Sequence, residues 1–79
     1  MQKSLNNNVC NENRFNSLFN KYAKDLHHFL YYKFGDHLNP MDKVQDAFIK
    51  LWQNCSTVSP EKAKSYLYTV ANNLMLNEA

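Results

Sequence analysis

From Phe15 onward, apolar residues recur at steps of three and four: Phe15, Leu18, Phe19, Tyr22, Ala23, Leu26, Phe29, Leu30 and Phe34. Such spacing marks one face of an α-helix and persists for roughly five turns. A stripe of that length must be covered, so the remaining chain has to supply helices or strands that pack against it. Asn11 or Asn13 can cap its start. Gly35, the only glycine, follows the last apolar residue with Lys33 in the final turn, as a helix C-terminus prefers.

A polar loop, Asp36 to Asn39, leads to a second start signal. Asn39 is placed as an N-cap, Pro40 as the first helical residue and Asp42 in the first turn. Met41, Val44, Phe48 and Leu51 mark a core face, and this helix is expected to end near Trp52 or Gln53. The next residues, Asn54 to Val58, lack periodicity and read as a loop. Ser59 then caps a third helix, with Pro60 at its first position and Val58 placed to staple against Ala63. Ala63, Leu67, Val70, Ala71 and Leu74 form its expected buried face, and it reaches Ala79 with no stop signal, as a helix truncated there would. No segment alternates with a period of two. The expected fold is therefore all-α, a small three-helix bundle over residues 12–79 behind a flexible, polar leader of residues 1–11.

Composition agrees with one small helical domain. The chain has 79 residues, 44% of them hydrophobic and 14% aromatic, too many for a disordered segment. A net charge of +2 permits contact with nucleic acid but is well short of a polycation that binds it unaided. Cys10 and Cys55 stand far apart and form no CxxC pattern, so they read as two scattered, reduced thiols, with a structural disulfide as the alternative. No segment approaches the roughly twenty apolar residues needed to cross a membrane, and the N-terminal residues lack the apolar run of a signal peptide. A soluble, cytoplasmic chain is expected.

Function has to come from helix faces that packing does not use. On the second helix, Asp42, Gln45, Asp46, Ile49 and Gln53 fall together beside the core face, Trp52 lies at its edge, and Lys43 and Lys50 take the back. Two carboxylates and two amides around an isoleucine suit a basic, partly apolar partner, although a solvated face with one stray isoleucine accounts for the same wheel. On the third helix, Tyr68, Asn72 and Met75 line one flank of the core and Tyr66, Thr69 and Asn73 the other, with Lys62 and Lys64 near the start. Aromatic rings, amides and cations in that mixture suit single-stranded nucleic acid. Tyrosines with rings in the core and hydroxyls at the surface would give the same pattern.

These segments carry a family resemblance. Asp42-Lys-Val-Gln-Asp-Ala-Phe-Ile-Lys-Leu-Trp52 resembles the region 2.2 signature of extracytoplasmic-function (ECF) sigma factors, roughly D-x-V-Q-E-x-F-x-x-L-W. Lys64-Ser-Tyr-Leu-Tyr-Thr-Val-Ala-Asn-Asn73 is similar to the region 2.3 to 2.4 segment, roughly A-W-L-Y-x-I-A-R-N. The F-x-x-L-F-x-x-Y at Phe15 to Tyr22 and the spacing of the blocks also fit, so the likeness runs over about residues 14–78. It implies that the second helix docks on the coiled coil of the RNA polymerase β′ subunit through Asp42, Gln45, Asp46, Ile49 and Trp52. It implies that the following loop, lined by Asn54, Ser56 and Thr57, captures a base flipped from the non-template strand of the promoter −10 element. Lys62, Lys64, Tyr66, Thr69, Asn72 and Asn73 would approach the upstream part of that element. An anti-sigma factor would cover the same surfaces. No covalent step and no cofactor is implied, so the resemblance describes a transcription initiation factor and not an enzyme.

The sequence departs from the pattern in four places. Met41 stands where an acidic residue is usual, Lys43 where an aliphatic is, and Thr69 and Asn72 where cations are common. Fewer cations lower the phosphate-binding contribution, so weak DNA binding is expected of this domain alone. The family's helix-turn-helix domain for the −35 element has no counterpart in these residues.

Two other classes fit parts of the chain. A helical adaptor that binds protein and never DNA would use the Asp42 to Gln53 stripe equally well, but has no need of the tyrosines and amides on the third helix. A metal site built on His27, His28 and His37 with Asp25 and Asp36 lacks ligand spacing, because adjacent His27 and His28 point in different directions. No metal is expected.

Overall fold

A computed structural model describes residues 9–78. Among them lie three α-helices and no strand: α1 (Glu12–Phe34), α2 (Pro40–Gln53) and α3 (Pro60–Glu78), with a short 3₁₀ turn, Cys55–Thr57, between α2 and α3. Each helix packs on the other two, most extensively α2 on α3. The expected all-α bundle is the observed fold.

The helix ends follow from local chemistry. Asn11 is the residue that caps α1: its Oδ1 accepts from the Arg14 backbone N–H at 3.0 Å. At the other end, the Gly35 N–H donates to the Tyr31 carbonyl at 2.8 Å, with Gly35 at φ +88°. A side chain there would be strained by the backbone and would also crowd the His37 ring at 3.3 Å. Asn39 differs from expectation. It sits in the left-handed region at φ 53° and makes no side-chain cap; its carbonyl instead accepts from the Asp42 and Lys43 N–H groups. Asparagine tolerates that conformation better than other side chains do, which explains its use before Pro40. The Ser59 carbonyl accepts from the Lys62 N–H at 3.0 Å and starts α3.

The core is a single cluster. Leu26 and Leu30 of α1, Val44, Ala47, Phe48 and Leu51 of α2, and Ala63, Leu67, Ala71 and Met75 of α3 are buried, with Val58 from the connecting loop and Val9 from before α1. Full burial of a leucine-sized side chain contributes roughly 1.5–3 kcal/mol, so Leu26, Leu30, Leu51 and Leu67 carry much of the stabilisation. Phe15, Leu18, Tyr22, Ala23, Phe29 and Phe34 are half-buried around it.

Four expectations are corrected by the packing. Met41 is exposed and lies off the core face, which runs through Pro40, Lys43, Val44, Ala47, Phe48 and Leu51. Lys43 is consequently not on the back of α2. It is 8% exposed and pairs with Glu78 near the end of α3. Its aliphatic stem covers apolar surface while the ammonium reaches the bundle end, which a hydropathy wheel cannot register. Met75 is fully buried and belongs to the core, because the buried stripe of α3 runs in four-residue steps through Ala63, Leu67, Ala71 and Met75. Val70 and Leu74 are only half-buried beside it.

The cysteines are the fourth correction. Cys10 and Cys55 form a disulfide, with Cα atoms 5.0 Å apart. The tie fastens the chain before α1 to the 3₁₀ turn, and Val9 next to it is completely buried. Residues 9–11 are therefore part of the bundle and not of a free leader, whose residues 1–8 lie outside the described residues. No helix among the described residues is long and apolar enough to cross a membrane.

Candidate functional site

Asp42, Gln45, Asp46, Ile49, Trp52 and Gln53 all reach solvent along the outer side of α2. They do so because α2 spends its other side on α1 and α3. Ile49 is 53% and Trp52 45% exposed, large apolar groups that water covers at a cost. They do not stand alone. An open, mainly apolar groove runs between α1 and α2, walled by Phe15 and Phe19 on one side and Ile49 and Trp52 on the other, with Phe48 between them. Phe15 meets Trp52 edge-on at 5.0 Å and Phe19 meets Phe48 at 4.9 Å, which fixes the groove's shape. Asp42 and Asp46 stand one turn apart, both exposed on α2. Like charges at that spacing cost a helix a few tenths of a kcal/mol, a cost that a basic partner would remove.

The contribution of α1 to this groove escaped the sequence reading. Phe15 and Phe19 were assigned to the core by periodicity, yet Phe19 is 42% exposed. A long aromatic stripe wider than one partner helix can cover was the available signal.

The loop after α2 is tied down on all sides. The Asn54 side-chain N–H₂ donates to the Lys50 carbonyl at 3.0 Å and to the Tyr66 hydroxyl at 3.1 Å. The Tyr66 hydroxyl in turn donates to the Lys50 carbonyl at 3.3 Å. Thr57 Oγ1 donates to the Asn54 carbonyl at 2.9 Å, and Cys55 is held by the disulfide. Asn54, Ser56 and Thr57 remain exposed throughout. A loop fixed in this way offers polar groups to a ligand with little ordering left to do.

On α3, Lys62, Lys64, Thr69 and Asn73 are exposed and Asn72 is half-buried. Lys62, Tyr66, Thr69 and Asn73 recur at three- and four-residue steps and share the flank next to the loop. Asn72 lies about 60° further round the helix, on the flank facing the end of α1. The tyrosines mark the edges of this surface. Tyr66 is half-buried, with its ring against the core and its hydroxyl engaged by Asn54. Tyr68 is half-buried against Phe29, ring centres 5.0 Å apart, and the Lys64 ammonium lies 5.8 Å from its ring centre. Burial, then the nearby Asp25 carboxylate and Tyr22, push the Tyr68 phenol up. Glu61 is held below the usual carboxylate range, first by a backbone hydrogen bond in the opening turn of α3 and next by the Ser59 side chain. The start of α3 therefore presents Lys62 and Lys64 against one ionised carboxylate.

His27 stacks on Tyr31 and His28 meets Tyr32 edge-on, away from these surfaces in the second half of α1. Among the described residues no three His, Cys, Asp or Glu side chains gather where they could hold a metal ion.

No curated protein and no solved structure shows significant similarity to the chain. The family model for sigma-70 region 2, however, matches residues 18–79, which takes in most of α1, all of α2, the loop and α3. A bundle whose middle helix turns carboxylates and apolar side chains outward, followed by an ordered polar loop and a helix bearing lysines and amides, is what that match covers. The chain belongs to the sigma-70 region 2 family, the part of a transcription initiation factor that engages RNA polymerase and takes part in promoter recognition.

Proposed function

We propose that this chain is region 2 of an ECF-type sigma factor, acting in the cytoplasm, that docks on the β′ coiled coil of RNA polymerase and recognises and melts the promoter −10 element. In this reading Asp42, Gln45 and Asp46 make the polar and ionic contacts with β′, and Ile49 and Trp52 the apolar ones. Asn54, Ser56 and Thr57 receive a base flipped from the non-template strand. Lys62, Lys64, Thr69, Asn72 and Asn73 lie along the strand leading to it, while Tyr66 holds the loop in place and does not serve as an open stacking platform. An anti-sigma factor that silenced the protein would compete for the same α2 face. The domain boundary at residue 12 shifts to include Val9 and Cys10, which are packed and bridged.

The observation that carries the reading is the exposed row of Asp42, Gln45, Asp46, Ile49 and Trp52 on α2, of which Gln45, Ile49 and Trp52 line the α1–α2 groove. An ordinary solvated face has no reason to keep an isoleucine and a tryptophan about half exposed beside an apolar groove.

The test is a pair of binding measurements with the full chain. One uses a β′ coiled-coil fragment, the other a single-stranded −10 oligonucleotide in the presence of polymerase core. Asp46→Ala is expected to weaken the first about tenfold, and Asn73→Ala to weaken the second while leaving β′ binding unchanged. Binding to β′ with no DNA binding under any salt condition would turn the assignment toward a protein-only adaptor. Binding to neither would end it.

A further inference from the structure

Asn72 of α3 is reached by a cation from another helix. Lys33, in the last turn of α1, places its Nζ 2.8 Å from Asn72 Oδ1, across 39 residues of sequence. Its ammonium also lies 5.4 Å from the ring centres of Phe29 and Phe34. Phe29 packs on Tyr68, and Tyr68 carries Lys64 over its ring. Lys64, Tyr68, Phe29, Lys33 and Asn72 thus make one continuous row of cation, aromatic, aromatic, cation and amide between α3 and the end of α1.

Two details of this row point to an anionic ligand. Lys33 forms no ion pair with a carboxylate among the described residues; its polar partner is the Asn72 side chain. An ammonium has three N–H donors, and the contact with Asn72 uses one of them. The same contact turns the oxygen of the Asn72 amide toward Lys33, and its N–H₂ group has no partner among the described residues. A charged donor and a neutral donor therefore stand side by side at an exposed edge. Asp25 is the opposing charge, close enough to raise the Tyr68 phenol.

We infer that Lys33 and Asn72 together form a backbone-phosphate clamp for promoter DNA, with Lys33 as a DNA-contacting residue contributed by α1. The inference rests on the reading of α3 as the DNA-facing helix and adds to it a contact from outside regions aligned with the signature segments. Lys33 supplies the charge and also orients Asn72, so the clamp fixes the strand's position and does not read its sequence.

The experiment measures the affinity of the full chain with polymerase core for a −10 oligonucleotide as a function of salt. Lys33→Met is expected to weaken binding about tenfold at low salt, equally for several −10 sequences. It should also reduce the slope of log K against log salt by about 0.7 for single-stranded DNA. Lys33→Arg should keep both. Asn72→Asp is the second arm: it offers Lys33 a carboxylate, which preserves or strengthens the α1–α3 contact, yet it should weaken DNA binding at least as much as Lys33→Met. A wild-type salt slope in Lys33→Met, or equal losses in Lys33→Met and Lys33→Arg, or wild-type binding by Asn72→Asp, would each overturn the clamp and leave the proposed function standing. Absence of promoter binding by the wild-type chain would overturn both.

Discussion

Reducing the Cys10–Cys55 disulfide removes a cross-link between residues 45 apart in sequence. In the chain-entropy description a link closing n residues lowers the entropy of the unfolded chain by about 2.1 + 1.5R ln n cal/mol/K, which for this loop gives about 4 kcal/mol at 25 °C. The native side adds to this. Val9 is fully buried one residue from the bridge, and an untied chain end can lift it out of the core at a cost of up to roughly 1.5 kcal/mol. A chain of 79 residues has a total stability on the order of 4–12 kcal/mol, so the bridge accounts for a large share of it. The assay is equilibrium urea unfolding followed by circular dichroism, on oxidised protein, reduced protein and the Cys10→Ser, Cys55→Ser double variant. Thiol alkylation and mass measurement verify the redox state of each sample. The oxidised form should be more stable by about 4–5 kcal/mol, and the reduced and double-variant curves should coincide. The reduced forms should also show a steeper denaturant dependence, because their unfolded chains expose more surface. A difference under about 1 kcal/mol between verified oxidised and reduced samples would refute the reasoning.

Three further outcomes follow from single contacts. Leu67→Ala, at a fully buried position where α3 meets the core, should cost about 2–5 kcal/mol in the same unfolding assay. Tyr66→Phe keeps the ring but removes the hydroxyl that joins Asn54 to the Lys50 carbonyl; it should cost about 1 kcal/mol in stability and weaken binding of the −10 oligonucleotide, while β′ binding is unchanged. For Glu61 the folded carboxyl titrates lower than the unfolded one, so its contribution is present above the unfolded carboxylate range and is lost as pH falls through the folded value. Glu61→Gln should therefore lower thermal stability slightly at neutral pH, and the difference from wild type should vanish in acid.

The parts of this molecule that were legible in the sequence are those set by neighbours along the chain. Asn11 and Gly35 bound α1, Pro40 and Pro60 open α2 and α3, and four-residue spacing identified Leu26, Leu30, Val44, Phe48, Leu51, Ala63, Leu67 and Ala71 as core. What could not be read is set by juxtaposition. Whether Cys10 meets Cys55 depends on where the start of α1 lies relative to the loop beyond α2, and the sequence separation of 45 carries no hint of it. The burial of Lys43 depends on Glu78 arriving from the far end of α3. Met75 was placed on a flank with Tyr68 and Asn72, whereas the buried stripe of α3 continues from Ala71 straight through it. The outward row on α2 was found by wheel alone, but the wall that α1 adds to it with Phe15 and Phe19 was not. Periodicity reports a face; it does not report how much of that face a neighbour covers.

The carbonyl of Lys50 joins the two surfaces. It lies in the last turn of α2, the helix whose outer side carries Asp42 to Trp52, and it accepts from both Asn54 of the loop and Tyr66 of α3. A partner that fixes α2 therefore also holds the loop and Tyr66 of α3 through these bonds. On the proposed reading, docking on polymerase would present an ordered base-binding loop at a defined distance from the docking contacts. That arrangement also gives a use to the modest positive charge. A net +2 spread over the chain supplies little phosphate affinity, and Glu61 offsets part of the charge of Lys62 and Lys64. A domain held on DNA by its own cations could tolerate a mobile loop. One that relies on polymerase for its position gains more from rigidity, and the bond from Asn54 to Lys50, the Tyr66 hydroxyl and the Cys10–Cys55 bridge each remove freedom from the same few residues.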